Sequence, residues 1–195
     1  MQKLTRADLV SLEQYAESRK AFRDEVMAHK KNRRLALGPN ANLYFEDRMT
    51  IQYQVQEMLR IEKMFEAAGI EEELGAYNPL IPDGKNWKAT FMLEFEDVDV
   101  RRQRLAELIG VEAHVWMQVA GCERITPIYN EDMERSDGEK TAAVHFMRFE
   151  LNEAMIKALK GGATLGAGID HDAYRQTIDP VPANIVNSLL MDLDQ

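Results

Sequence analysis

A chain of 195 residues, 45% hydrophobic and 29% charged, can bury one substantial core and is too balanced in composition for disorder to be the default. Its formal charge of −9 disfavours a nucleic-acid partner, because phosphate backbones repel an acidic surface at long range. The single cysteine, Cys122, excludes an intramolecular disulfide and any cysteine-ligated cluster within one chain, which fits a reducing, cytoplasmic setting.

No run of residues approaches the ~18 apolar positions of a membrane span, and the first residues lack an apolar leader core, so neither a membrane span nor a signal peptide is expected. Thr5 followed by Asp8 reads as a helix start. Leu12, Tyr15, Arg19, Phe22, Val26, His29 and Arg33 then recur at three- and four-residue steps, one stripe of an amphipathic helix or of two helices in line. Leu35-Ala36-Leu37 and Asn42-Leu43-Tyr44-Phe45 around Gly38-Pro39-Asn40 predict a hairpin. Met49 to Ala68 is the clearest helix, stopped at Gly69, with a short further turn over Ile70 to Leu74. A loop with Pro79, Pro82 and Asp83-Gly84 follows.

Trp87 to Phe95 alternates as a strand, with Ala89, Phe91, Leu93 and Phe95 on one face and Lys88, Thr90, Met92 and Glu94 on the other. Asp97 or Asp99 caps a helix reaching Ile109. Strands are expected over Ala113–Val119 and Glu123–Tyr129, then an acidic surface loop over 130–140, then a strand over Ala142–Glu150. Asn152 caps a helix ending at Gly161-Gly162, Thr164–Ile169 is a last strand, and Ala183–Leu193 a last helix. These elements predict an α+β fold, a helical N-terminal half packed on a mainly antiparallel sheet of about four to six strands. One domain spans 1–195; any subdivision separates a helical and hairpin half, 1–76, from a sheet-based half, 87–195.

Two clusters of polar residues stand out. On a helical wheel, Ile51, Val55, Met58, Leu59, Ile61 and Phe65 form an apolar arc that encloses Gln54 and Glu62, so both are expected to be buried. A buried Glu62 needs a cation, such as Arg33 or Arg19. Residues 19–34 hold seven Lys and Arg against Asp24 and Glu25, a local excess of +5 that leaves −14 on the rest. Gln52, Gln56 and Arg60 form a polar row on the next helix. Arg33, Arg34, Arg48, Gln52, Gln56 and Arg60 are therefore the candidate site for a small anion, against the plainer readings of a solvated face and of cations stabilising a helix C-terminus. His29, Glu62 and His145 all point toward the inferred core and would suit a metal, although no ligand spacing supports one. The glycines of 161–168 fit neither a P-loop nor a dinucleotide fingerprint, so no nucleotide cofactor is indicated.

His29-Lys30-Lys31-Asn32-Arg33-Arg34 with Leu37-Gly38-Pro39, Phe45-Glu46-Asp47-Arg48, the run Thr50 to Glu62, Asn78-Pro79-Leu80-Ile81-Pro82 and Ala143 to Glu150 together resemble a bacterial family, domain of unknown function 3501, over almost the whole chain. The resemblance implies a neighbourhood rather than a reaction: members are associated with rubrerythrin-like and cysteine-rich iron–sulfur proteins. It therefore implies a non-catalytic accessory of a redox or peroxide-defence system. The alternative is a metal- or acid/base-dependent enzyme acting on a small anionic metabolite, using Glu57 or Glu62 with His29 or His145. The partner classes left open are a small anion, a rubrerythrin-like or iron–sulfur protein, and a second copy of the chain.

Overall fold

The computed structural model describes residues 2–131, 133, 135 and 138–194. Thr5 caps one turn of 3-10 helix, Arg6–Asp8, and Ser11 caps the first long helix, α1 (Leu12–Lys30), each through a reciprocal capping box. β1 (Arg34–Ala36) and β2 (Ala41–Glu46) form the expected hairpin. Gly38 in its turn has φ +84°, and a Cβ there would lie 2.7 Å from the Gln176 side chain. Asp47 caps α2 (Arg48–Ile61), and α3 (Ala67–Tyr77) follows after a break.

α2 is shorter than its apolar pattern suggests. Lys63 adopts a left-handed φ of 52°, and Met64 N–H reaches back to the Leu59 carbonyl while Lys63 N–H reaches Arg60. That is a Schellman stop, built on a lysine where glycine is usual. Gly69 lies inside α3 and ends nothing. The buried stripe of α2 is Ile51, Val55 and Leu59, whereas Ile61 and Phe65 are 61% and 75% exposed. Glu62 is the exposed C-cap of α2, so the expectation that it is buried and paired is corrected: the helix stops before the wheel can turn it inward.

Among the described residues, the strands divide between two antiparallel sheets. The first has the order β1-β2-β3-β7-β6, with β3 at Asn86–Leu93, β6 at Ile128–Tyr129 and β7 at Val144–Glu150. The second has the order β5-β4-β8-β9, with β4 at Val115–Val119, β5 at Arg124–Ile125, β8 at Leu165–His171 and β9 at Tyr174–Ile178. The fold is α+β, with the helical layer of α1 to α3 contributed by the N-terminal half. The expected strand 123–129 is two short strands in different sheets, separated at Pro127, which has no N–H to give a ladder. β9 was not legible as a strand, and the loop expected over 130–140 lies partly outside the described residues.

The inner faces of both sheets share one apolar core. Leu43, Phe45, Trp87, Phe91 and Phe149 come from the first sheet, and Val115, Met117, Leu165 and Ile169 from the second. Helices α4 (Val98–Glu107), α5 (Glu153–Lys160) and α6 (Ala183–Leu190) are interspersed with and follow the later strands, and Leu159 of α5 and Leu189 of α6 join that core. The Trp87 indole donates to the Leu189 carbonyl at 3.0 Å, so this large side chain is buried with its polar atom satisfied. A smaller cluster of Leu4, Ile51, Val55, Leu59, Leu74 and Ile81 holds the N-terminal helices together.

Candidate functional site

The residues expected to bind an anion are engaged mostly within the chain. Arg33 is 2% exposed. Its guanidinium donates to the Phe45 and Glu46 carbonyls at 3.0 Å each and pairs with Asp192 at 2.5 Å, with Asp47 at 3.3 Å. Burial pushes the Asp192 carboxyl up to about 6, against the pull of Arg33. Arg34 donates to Asn42 Oδ1 at 2.9 Å. Arg48 pairs with Asp8 at 2.5 Å, and the Gln52 amide donates to the Asp8 carbonyl at 2.6 Å. Gln56 accepts from the Val10 N–H at 2.8 Å and donates to its carbonyl. The polar row of α2 thus fastens the N-terminal segment 8–10, as a neighbouring strand would, and Arg48, Gln52 and Gln56 share that one neighbour. Arg60 instead meets Glu57 at 3.1 Å.

Glu57 takes the place that the wheel gave to Glu62. It accepts from Tyr15 Oη and Arg19 Nε at 2.7 Å each, as well as from Arg60. Arg19, the largest cause, with Tyr15 and Arg60, holds its carboxyl at about 2. With Phe22 packed edge-on to Tyr53, this cluster joins α1 to α2. His29 Nε2 lies 2.5 Å from Asp47. His145 is fully buried, its Nε2 3.0 Å from both Thr141 Oγ1 and the Ala142 carbonyl; burial pulls its pKa down, opposed by Glu112. His29, Glu62 and His145 are not gathered together: among the described residues no group of three or more His, Cys, Asp or Glu is arranged to hold a metal ion.

The arrangement with unspent chemistry lies elsewhere, on the outer face of the first sheet. Alternation along β3 turns Trp87, Ala89 and Phe91 inward and Lys88 and Thr90 outward. The register sets Lys88 beside Glu46 of β2 and Arg148 of β7 in one cross-strand row. Helices α2 and α3 and the turn Asn78–Leu80 lie over part of this face, enclosing a cavity of about 630 Å³. Met58, Leu80 and Phe146 give it apolar walls, and Gln54, Glu73, Lys88, Glu131 and Arg148 supply polar ones. Gln54, expected to be buried, is half-buried.

The charges in this row are not equally satisfied. Glu46 accepts from the Thr90 and Thr50 hydroxyls at 2.8 and 2.6 Å. Arg148 is occupied by Glu131, at 2.6 Å, and by Glu150. Lys88 makes no hydrogen bond or ion pair among the described residues. Burial, then the neighbouring Arg148, holds its ammonium below the usual lysine range, opposed by Glu131, Asp83 and Glu150. Across the cavity, burial raises the Glu73 carboxyl and Glu62 and Glu72 add to that. A desolvated, unpaired cation in a partly apolar cleft is the pattern of a binding site.

From the sequence Lys88 is only one member of the second face of β3, with Thr90, Met92 and Glu94, and nothing singles it out. A signal was present in β7, whose two faces carry Met147 and Phe149 on one side and Val144 and Phe146 on the other. A strand apolar on both sides is covered on both sides.

Residues 3–193 match the model of a family described as protein of unknown function, DUF3501. The chain is also similar to a novel protein of unknown function from Burkholderia pseudomallei K96243, known from a crystal structure. The two share 47% identity and a TM-score of 0.90, over 99% of this chain and 100% of that one. Nothing among the curated proteins matches. With nearly its whole length matched, the chain belongs to the DUF3501 family.

Proposed function

We propose that the chain is a binding protein for a small molecule with an apolar body and a carboxylate head, the head resting on Lys88 and the body on Met58, Leu80 and Phe146. One observation carries this reading: among the described residues Lys88 is the cation of its row left without a partner, while Arg148 beside it is saturated by two carboxylates. Leaving an ammonium partly desolvated costs free energy, and a bound carboxylate offsets that cost with a charge-assisted hydrogen bond. A binding role also agrees with the fate of the acid/base candidates, since Glu57 and His29 are paired internally and His145 is buried. The small anionic ligand expected from the sequence is kept, with Lys88 as its anchor. The accessory role in a redox or peroxide-defence system rests on the family resemblance.

Calorimetric titration with hexanoate tests the reading. Wild type is expected to bind, and Lys88→Met to bind about tenfold more weakly or worse, since a hydrogen bond to a charged group contributes ~1.5–3 kcal/mol. Unchanged affinity in Lys88→Met, with its fold intact by circular dichroism, overturns it.

A further inference from the structure

We infer that the ligand of this cavity is bipolar, a linear ω-amino acid whose carboxylate meets Lys88 and whose amine meets Glu73 on the opposite wall. The inference rests on the reading of Lys88 and adds the second end. Glu73, Ala76 and Tyr77 are spaced i, i+3, i+4 on α3, so they share the helix face that lines the cavity. Leu74, one residue on from Glu73, is buried in the helical cluster and fixes that orientation.

Glu73 makes no hydrogen bond or ion pair among the described residues. It is half-buried, and the charges that bear on it are those of Glu62 and Glu72, both of its own sign. A carboxylate in such a place is stabilised by any cation that reaches it. Lys88 does not reach it, although both line one cavity of about 630 Å³. Met58, Ala76, Leu80 and Phe146 line the same cavity. Among the described residues the cavity thus presents one unpaired positive group, one unpaired negative group and an apolar stretch of wall, while its Glu131 and Arg148 are paired with each other. A simple acid leaves Glu73 without a partner, a simple amine leaves Lys88 without one, and an α-amino acid with an apolar side chain carries both charges on one carbon and cannot serve two walls. A carbon chain charged at each end serves both and covers the apolar stretch.

Titrations of wild type, Lys88→Met and Glu73→Gln with 6-aminohexanoate, hexanoate, hexylamine and norleucine test this. The 4- and 8-carbon ω-amino acids set the span. Wild type is expected to bind one of the ω-amino acids about tenfold or more tightly than hexanoate, with norleucine no better than hexanoate. Glu73→Gln should abolish that gain and the binding of hexylamine, yet leave hexanoate unchanged. Removing a carboxylate repelled by Glu62 and Glu72 should not lower the melting temperature, so loss of fold is not expected to mask the result. Hexanoate binding that depends on Lys88, with no gain from the terminal amine or a gain that survives Glu73→Gln, overturns the bipolar ligand and leaves the Lys88 reading standing. If neither hexanoate nor any ω-amino acid binds wild type, both fall.

Discussion

Arg33→Met is the substitution expected to damage the fold most. The guanidinium sits where the end of α1, the β2–α2 junction and α6 converge, with the side chain of Asp192 1% exposed and that of Asp47 9% exposed. Methionine fills much of the volume but removes the cation from Asp192 and the donors from the Phe45 and Glu46 carbonyls. Removing one partner of a buried pair typically costs ~3–5 kcal/mol, because the charge left behind is uncompensated. A domain of this kind holds ~5–15 kcal/mol in all, so the loss is a large share of the total. Urea denaturation near pH 7.5 reads it directly.

The pH dependence gives a second check on the same variant. The folded Asp192 carboxyl titrates at about 6, above the ordinary 3.8, and loses an attractive cation in the variant, so its pKa moves further up. A carboxyl raised on folding contributes stability that is present at low pH and lost as pH rises through its folded pKa. The deficit of Arg33→Met should therefore widen from pH 5.5 to pH 8. A loss under ~1 kcal/mol, or a deficit that narrows over that range, would refute the argument.

Three further outcomes follow from the helices. Glu57→Gln should cost up to ~3 kcal/mol near neutral pH, the worth of a carboxyl lowered from 4.5 to about 2, and the gap should close as pH falls from 4.5 toward 2; acid-denaturation curves of the two proteins check it. Glu62→Ala should change stability by less than ~0.5 kcal/mol in chemical denaturation, since the side chain is an exposed cap. Lys63→Gly should raise the melting temperature slightly, by relieving the left-handed backbone that ends α2, and a lower melting temperature would count against the Schellman stop.

What the sequence disclosed was local. The alternation of Trp87 to Leu93, the caps at Asp97 and Asn152 and the hairpin at Gly38-Pro39-Asn40 are set by residues within a few positions of one another, and each appears where expected. Glu62 was misread because Phe65 prolongs the apolar period past a stop that uses lysine rather than glycine. The cavity was illegible for a different reason. It depends on β3 pairing with β7, which puts Arg148 beside Lys88, and on α3 lying over that row; no local pattern states either. Gln52 and Gln56 look like a ligand-binding row until the N-terminal segment is seen to occupy them.

The central claim concerns one ammonium group, and NMR of the lysine side chains tests it most directly. With lysine labelled at Cε, the Lys88 resonance, assigned by its loss in Lys88→Met, should titrate below the usual lysine range in the free protein. Saturation with hexanoate should raise its pKa, because a carboxylate at hydrogen-bond distance favours the charged form. A Lys88 that titrates like an exposed lysine, or whose titration is unmoved when hexanoate is bound, would contradict the account.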